Sequence, residues 1–241
     1  MTTINKEEIQ KFSKLADEWW DVNGKFKPLH MFNPVRIEYI LDEITKHFQL
    51  SSNNKYKLKN LKILDIGCGG GLISEPLARL GGNVTGIDAA EKNIKVASLH
   101  SKKNNLSINY INKSPEQLNE KEKFDIILNL EVVEHVDNLD LYLQSCNRLL
   151  KKGGLMFTAT INRTLISYIK AIVGAEYVLR WLPIGTHDWN KFIKPEELQK
   201  MLTDKNFATN DIKGLEFNPF YKKWKKSENL SVNYIICSVK N

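Results

Sequence analysis

Cysteine is scarce in this chain of 241 residues: there are three, Cys68, Cys146 and Cys237, odd in number and scattered in spacing. That excludes a disulfide framework and points to a reducing compartment. No apolar run reaches the ~18 residues that a membrane-spanning helix needs. The first residues, Met1 to Glu8, hold no apolar signal-peptide core. The expectation is a cytoplasmic protein. Arginine is also sparse, 5 of 35 basic residues, which argues against reading of DNA or RNA bases, where bidentate Arg is the favoured tool. With 42% hydrophobic and 26% charged residues, the composition excludes disorder, collagen and coiled coil.

What charge asymmetry there is lies at the carboxyl-terminal end. Residues 1–150 carry 20 basic and 20 acidic side chains, whereas residues 151–241 carry 15 basic against 8 acidic. A one-sided basic surface suits nucleic acid or anionic lipid, and equally a solvated lysine-rich face.

Ile9, Phe12, Ala16, Trp19 and Trp20 recur at helical spacing, and Asn5 with Glu8 three residues on reads as a capping box. A second helix is predicted to start at Asn33-Pro34 and run toward Phe48. Residues 51–55 are polar and read as a linker. From Lys62 the pattern becomes short apolar strands alternating with helices: strands at 63–66, 83–88, 108–112, 124–130 and 155–160. A helix at 195–205 and strand-like runs at 208–217 and 230–239 follow. This rhythm predicts an α/β, mostly parallel sheet with helices on both faces. The organisation expected is a helical cap over 1–50 and a cofactor-binding domain over 60–241, with an insertion at 163–190.

Asp65-Ile66-Gly67-Cys68-Gly69-Gly70-Gly71 follows a strand and opens a helix. Glycines there let backbone amides approach a ligand. Asp88 ends the next strand, where a carboxylate can accept both hydroxyls of a ribose. A dinucleotide loop wants Gly or Ala where Leu72 stands, and Asp65 would repel a pyrophosphate, so a nicotinamide dehydrogenase is disfavoured. A ligand with no phosphate and a cationic amino group fits better, and S-adenosylmethionine is one. The competing reading of Asp65 is a structural carboxylate bonded to loop amides.

Asp65-x-Gly67-x-Gly69-x-Gly71, Asp88 and the run Leu130-Glu131-Val132-Val133-Glu134-His135-Val136 together resemble class I S-adenosylmethionine methyltransferases, which have a Rossmann-like fold. The flanks are more specific. Glu18-Trp19-Trp20-Asp21, Phe26-Lys27-Pro28-Leu29-His30, Asn33-Pro34-x-Arg36, Val173-Gly174-Ala175-Glu176-Tyr177, Gly185-Thr186-His187-Asp188 and Lys191-Phe192-Ile193-Lys194-Pro195 resemble the ubiquinone-biosynthesis O-methyltransferases, from Phe12 to Tyr234. The resemblance implies two O-methylations, of a polyprenyl hydroxyphenol and of demethylubiquinol, with other proteins of that pathway as candidate partners. It implies cofactor contacts at Arg36, Gly67, Asp88 and Leu130, beside Asp65 and Gly69 of the loop. Many relatives carry Met where Leu130 stands. The alternatives are another small phenol, or nucleic acid; no Asn-Pro-Pro-Tyr motif follows the fourth strand, so no nucleic-acid partner is expected.

Methylation of a phenol needs the oxygen deprotonated, by a base or a metal. Glu131, Glu134 and His135 stand at i, i+3 and i+4, so one helical turn would present all three. They are the candidate ligands of a divalent ion, with magnesium supported by the resemblance. Without a metal, His135 is the candidate base, with Glu131 beside it. Trp19, Trp20, Phe26 and His30 read either as a lid over an aromatic substrate or as core. The insertion carries Leu165, Ile166, Ile169, Leu179 and Trp181 among Lys170 and Arg180. It is expected to lie on an anionic membrane surface, placing the protein on the inner face of the cytoplasmic membrane; an ordinary lid is the competing reading.

Overall fold

The computed structural model describes residues 2–51, 55–169, 188–218 and 223–241. Residues 170–187, most of the insertion with Leu179 and Trp181, therefore lie outside the described residues. Five strands, β1 (Lys62–Ile66), β2 (Asn83–Asp88), β3 (Asn109–Asn112), β4 (Phe124–Leu130) and β5 (Leu150–Ile161), pair in parallel. Three more, β6 (Phe207–Asn218), β7 (Lys223–Ser227) and β8 (Asn233–Lys240), pair antiparallel. The sheet order is 3-2-1-4-5-8-6-7. Among the described residues the α-helices are α1 (Lys6–Leu15), α2 (Lys27–His47), α3 (Ser74–Arg79), α4 (Glu91–Lys103), α5 (Leu139–Leu149), the short turn α6 (Leu165–Ser167) and α7 (Pro195–Asp204).

Strand side chains alternate between faces, and the central strands are buried on both, so β1 and β4 are mostly apolar. In β4, Ile126 and Leu128 join one cluster with Val35, Tyr39, Ile40 and Ile44 of α2. Ile127, between them, joins the other, with Leu143 and Leu149 of α5 and Leu198 and Leu202 of α7. The segment 1–50 thus supplies α2 to the main core, while α1 and Trp19 pack beside the glycine loop.

Two local expectations are corrected. Helix α2 begins at Lys27, with Pro28 in its first turn, so Pro34 lies inside the helix and Asn33 is a buried helical residue rather than a cap. Proline fits the first turn without losing a hydrogen bond, and Pro28 takes that place six residues earlier than predicted. Strand β7 was not foreseen because Lys223-Trp224-Lys225-Lys226-Ser227 is mostly cationic. Among the described residues it pairs only with β6 and forms the sheet edge, where lysines discourage further pairing.

Candidate active site

Strand order reverses at β1, whose neighbours are β2 and β4, and a crevice opens at their carboxyl ends. A cavity of about 260 Å³ lies there. Its floor is the ends of β1, β2 and β4; its roof is α1, Trp19, Phe26 and the start of α2. Of the residues predicted to hold a cofactor, Arg36, Asp65, Gly67, Asp88 and Leu130 line it, as do Glu131 and His135.

Gly67 turns the chain off β1 at φ +69, and a Cβ there would come within 2.6 Å of Val132. Glycine is required on both counts. Gly69 donates its N–H to Asp88 Oδ2 at 3.0 Å. Its face, and that of Gly70, is covered by Trp19, which a Cβ on either would meet at 2.4 Å. The bareness of this part of the loop therefore serves the packing of the N-terminal segment.

Asp88 also accepts from Ala90 N–H at 2.7 Å and Asn93 Nδ2 at 3.2 Å. Burial raises its carboxyl above the ordinary range, opposed by these bonds. Asn93 in turn accepts from Trp19 Nε1 at 2.9 Å. Asp65 is buried and accepts from the Ser74 hydroxyl at 2.6 Å, tying the end of β1 to the start of α3. Burial pushes its carboxyl up to about 7, with the nearby Asp88 charge adding to the rise.

Arg36 is only 2% exposed. Its guanidinium pairs with Glu131, donates to Asn33 Oδ1 at 3.4 Å and lies 3.8 Å over the Phe32 ring. His135 Nδ1 lies 3.1 Å from Glu8 Oε2, and the Phe12 ring meets the imidazole edge-on at 5.3 Å. Glu134 is buried, with no hydrogen-bond partner for either carboxylate oxygen among the described residues. Burial first, then the Glu131 charge, raises its carboxyl well above the usual range.

The predicted metal set is not assembled. Glu131 takes a left-handed conformation, φ +58, and the turn after it is a short 3-10 helix over Val133–His135. The i, i+3, i+4 face expected of an α-turn is lost. Glu131 goes to Arg36, His135 to Glu8, and Glu134 inward. Among the described residues no group of three or more His, Cys, Asp or Glu side chains is placed to hold a metal ion. As arranged, these three side chains do not converge on one magnesium ion.

Trp19 and Phe26 settle as core, stacked at 3.8 Å, and both also line the cavity. Trp20 stacks on His100 at 3.5 Å and donates to Gly70 O. Sequence reasoning missed Asn93 and Ser74, which carry no motif, and read Glu8 only as a cap.

A family model described as a methyltransferase domain matches residues 64–158. The ubiquinone biosynthesis O-methyltransferase of Pelagibacter ubique is 57% identical over 241 residues, covering 100% of both chains. That of Roseobacter denitrificans is 52% identical, covering 99% of this chain and 97% of its own. Among solved structures, the magnesium protoporphyrin IX methyltransferase of Synechocystis with bound SAM has a TM-score of 0.67 at 16% identity, covering 100% of both chains. The PH0226 protein of Pyrococcus horikoshii has a TM-score of 0.64 at 15% identity, covering 96% of this chain and 99% of its own. With the glycine loop, the acids ending β1 and β2 and the full-length identity all in one chain, it belongs to the ubiquinone biosynthesis O-methyltransferases, S-adenosylmethionine-dependent enzymes of the class I methyltransferase fold.

Proposed function

We propose that the enzyme methylates phenolic hydroxyls at both O-methylation steps of ubiquinone biosynthesis, on a polyprenyl hydroxyphenol and on demethylubiquinol. The observation that carries this is the cavity: buried Asp65 and the Asp88 carboxylate at the ends of β1 and β2, with His135 on its wall. The names of the full-length relatives supply the substrate class.

S-adenosylmethionine, when bound, supplies a methyl group activated on a cationic sulfur. Asp88 would accept its ribose hydroxyls, and Asp65 would face its ammonium group. Arg36 would clamp its carboxylate by exchanging Glu131 for it. Leu130 would pack on the adenosyl group, with Gly67 giving the backbone its close approach; Gly69, predicted to share that role, lies under Trp19 and does not line the cavity. His135 would take the phenolic proton, with Glu131, released from Arg36, beside it.

The substrate is lipid-soluble, and Leu165, Ile166, Tyr168, Ile169 and Trp189 are exposed on either side of 170–187. We place this face on an anionic membrane surface. Among the described residues no helix is long and apolar enough to cross a membrane. Mass spectrometry of quinone intermediates in a strain lacking the gene tests the substrate. Accumulation of the unmethylated hydroxyphenol, cleared by the restored gene, and methylation of supplied demethylubiquinol by the enzyme are the expected results; absence of both would overturn the proposal.

A further inference from the structure

We propose that Glu8, carried on α1, is a positioning residue that holds His135 as the proton acceptor of the reaction. The inference rests on the reading of His135 as the base. Asn5 caps α1 by accepting from the N–H groups of Glu7 and Glu8. A capping box would complete itself by returning the Glu8 carboxylate to Asn5 N–H. Instead, Glu8 turns toward the cavity, where Oε2 lies 3.1 Å from His135 Nδ1 and Oε1 lies 3.6 Å from Lys191 Nζ. The helix is thus capped by half of its motif, and the other half is committed to the site.

Glu8 and His135 are 127 positions apart in sequence and meet only because α1 is docked over the turn that follows β4. That docking is anchored by polar contacts just ahead of Glu8. Thr3 N–H and its hydroxyl donate to Glu116, and Asn5 Nδ2 donates to Asp137 Oδ1 at 2.7 Å. Phe12, one turn further along α1, closes the apolar side of the imidazole. The contact with His135 is the largest cause holding the Glu8 carboxyl down at about 2, so it is an anion at working pH. Both side chains are largely screened from water, at 18% and 17% exposure.

A carboxylate on Nδ1 favours the tautomer with the proton there, leaving the Nε2 lone pair as acceptor, and it stabilises the imidazolium that forms. The proton leaves the phenolic oxygen for Nε2. The freed electron pair on oxygen takes the methyl group, and sulfur keeps the electrons of the broken S–CH3 bond. Distance without full hydrogen-bond alignment, as found here, is common in catalytic pairs before substrate binds.

The experiment compares the wild-type enzyme with Glu8→Gln, Glu8→Asp and His135→Ala, reading kcat and KM on one catechol substrate. Cofactor affinity is measured by calorimetry, and the His135 tautomer by ring 15N shifts. Glu8→Gln is expected to lower kcat by about tenfold or more, with KM and cofactor affinity within about twofold. Its ring shifts should change from the Nδ1–H pattern, and Glu8→Asp should recover part of the rate. If Glu8→Gln keeps wild-type kcat and ring shifts while His135→Ala is inactive, Glu8 only anchors α1 and the base reading stands. Wild-type kcat in His135→Ala would overturn the base reading and this inference together. Loss of cofactor affinity in parallel with kcat would mark displacement of the helix, and would also overturn it.

Discussion

At Asp65 a carboxyl group is buried at the end of β1, held by Ser74 and raised from 3.8 to about 7. The unfolded chain loses this proton near pH 4, while the empty folded protein keeps it to about 7. Stability from this group is therefore full below about pH 4 and is lost as pH climbs through about 7. At 1.36 kcal/mol per unit this amounts to about 4 kcal/mol at most. Melting curves of the empty protein between pH 4 and 8 should show this fall, and Asp65→Asn should remove it. An ammonium group placed against Asp65 reverses the preference and favours the anion. Cofactor affinity should then rise with pH up to about 7, with proton release on binding measurable by calorimetry in two buffers of different ionisation enthalpy. Asp88→Ala removes the acceptor proposed for two hydroxyls. At roughly 1.5–3 kcal/mol per charged hydrogen bond, cofactor affinity should fall at least tenfold. Unchanged affinity by calorimetry would withdraw the ribose assignment.

At the scale of elements, α1 and the Trp19 turn are attached to the sheet domain by few contacts of known kind. Glu8 is held at about 2 against an ordinary 4.5, so its contribution is complete above about pH 4.5 and is lost as pH falls toward 2. Hydrogen exchange should show α1 opening in that window before β1 and β4 do. The Trp19 turn sits on the bare backbone of Gly70, where a Cβ would meet Trp19 at 2.4 Å. Gly70→Ala should cost about 1–3 kcal/mol by overpacking. In the double variant with Trp19→Ala that cost should largely vanish, because the clash partner is gone. An additive double variant would show that the alanine disturbs the loop itself.

At the scale of the whole molecule, the cavity and the exposed apolar residues flanking 170–187 are separate features, and the proposal gives the second the task of meeting the membrane. If the exposed flank meets the membrane, the protein should sediment with anionic vesicles, and less so as salt is raised. Leu165→Asp and Ile169→Asp, at positions already exposed, should weaken sedimentation while leaving the melting temperature unchanged. Equal sedimentation with neutral vesicles would remove the electrostatic part, and none with either would leave a lid.

Much of this was written locally. The alternation of apolar strands with helices specified a parallel sheet, because only strands buried on both faces are apolar at every position. The loop from Asp65 to Gly71 and the acid at Asp88 marked the cavity floor, because strand ends and tight turns restrict residue type at short range. Glu131, Glu134 and His135 were visible as chemistry, yet their spacing implied a shared face that the left-handed backbone at Glu131 abolishes. That backbone is selected by a partner 95 positions away, Arg36, which is buried and needs an anion. The assignments of Glu8 to His135, Trp19 to Gly69 and Gly70, and Trp19 to Asn93 belong to the tertiary structure alone. Each joins residues from elements that local periodicity treats as independent, and each exists only because α1 and α2 fold back over the ends of the strands.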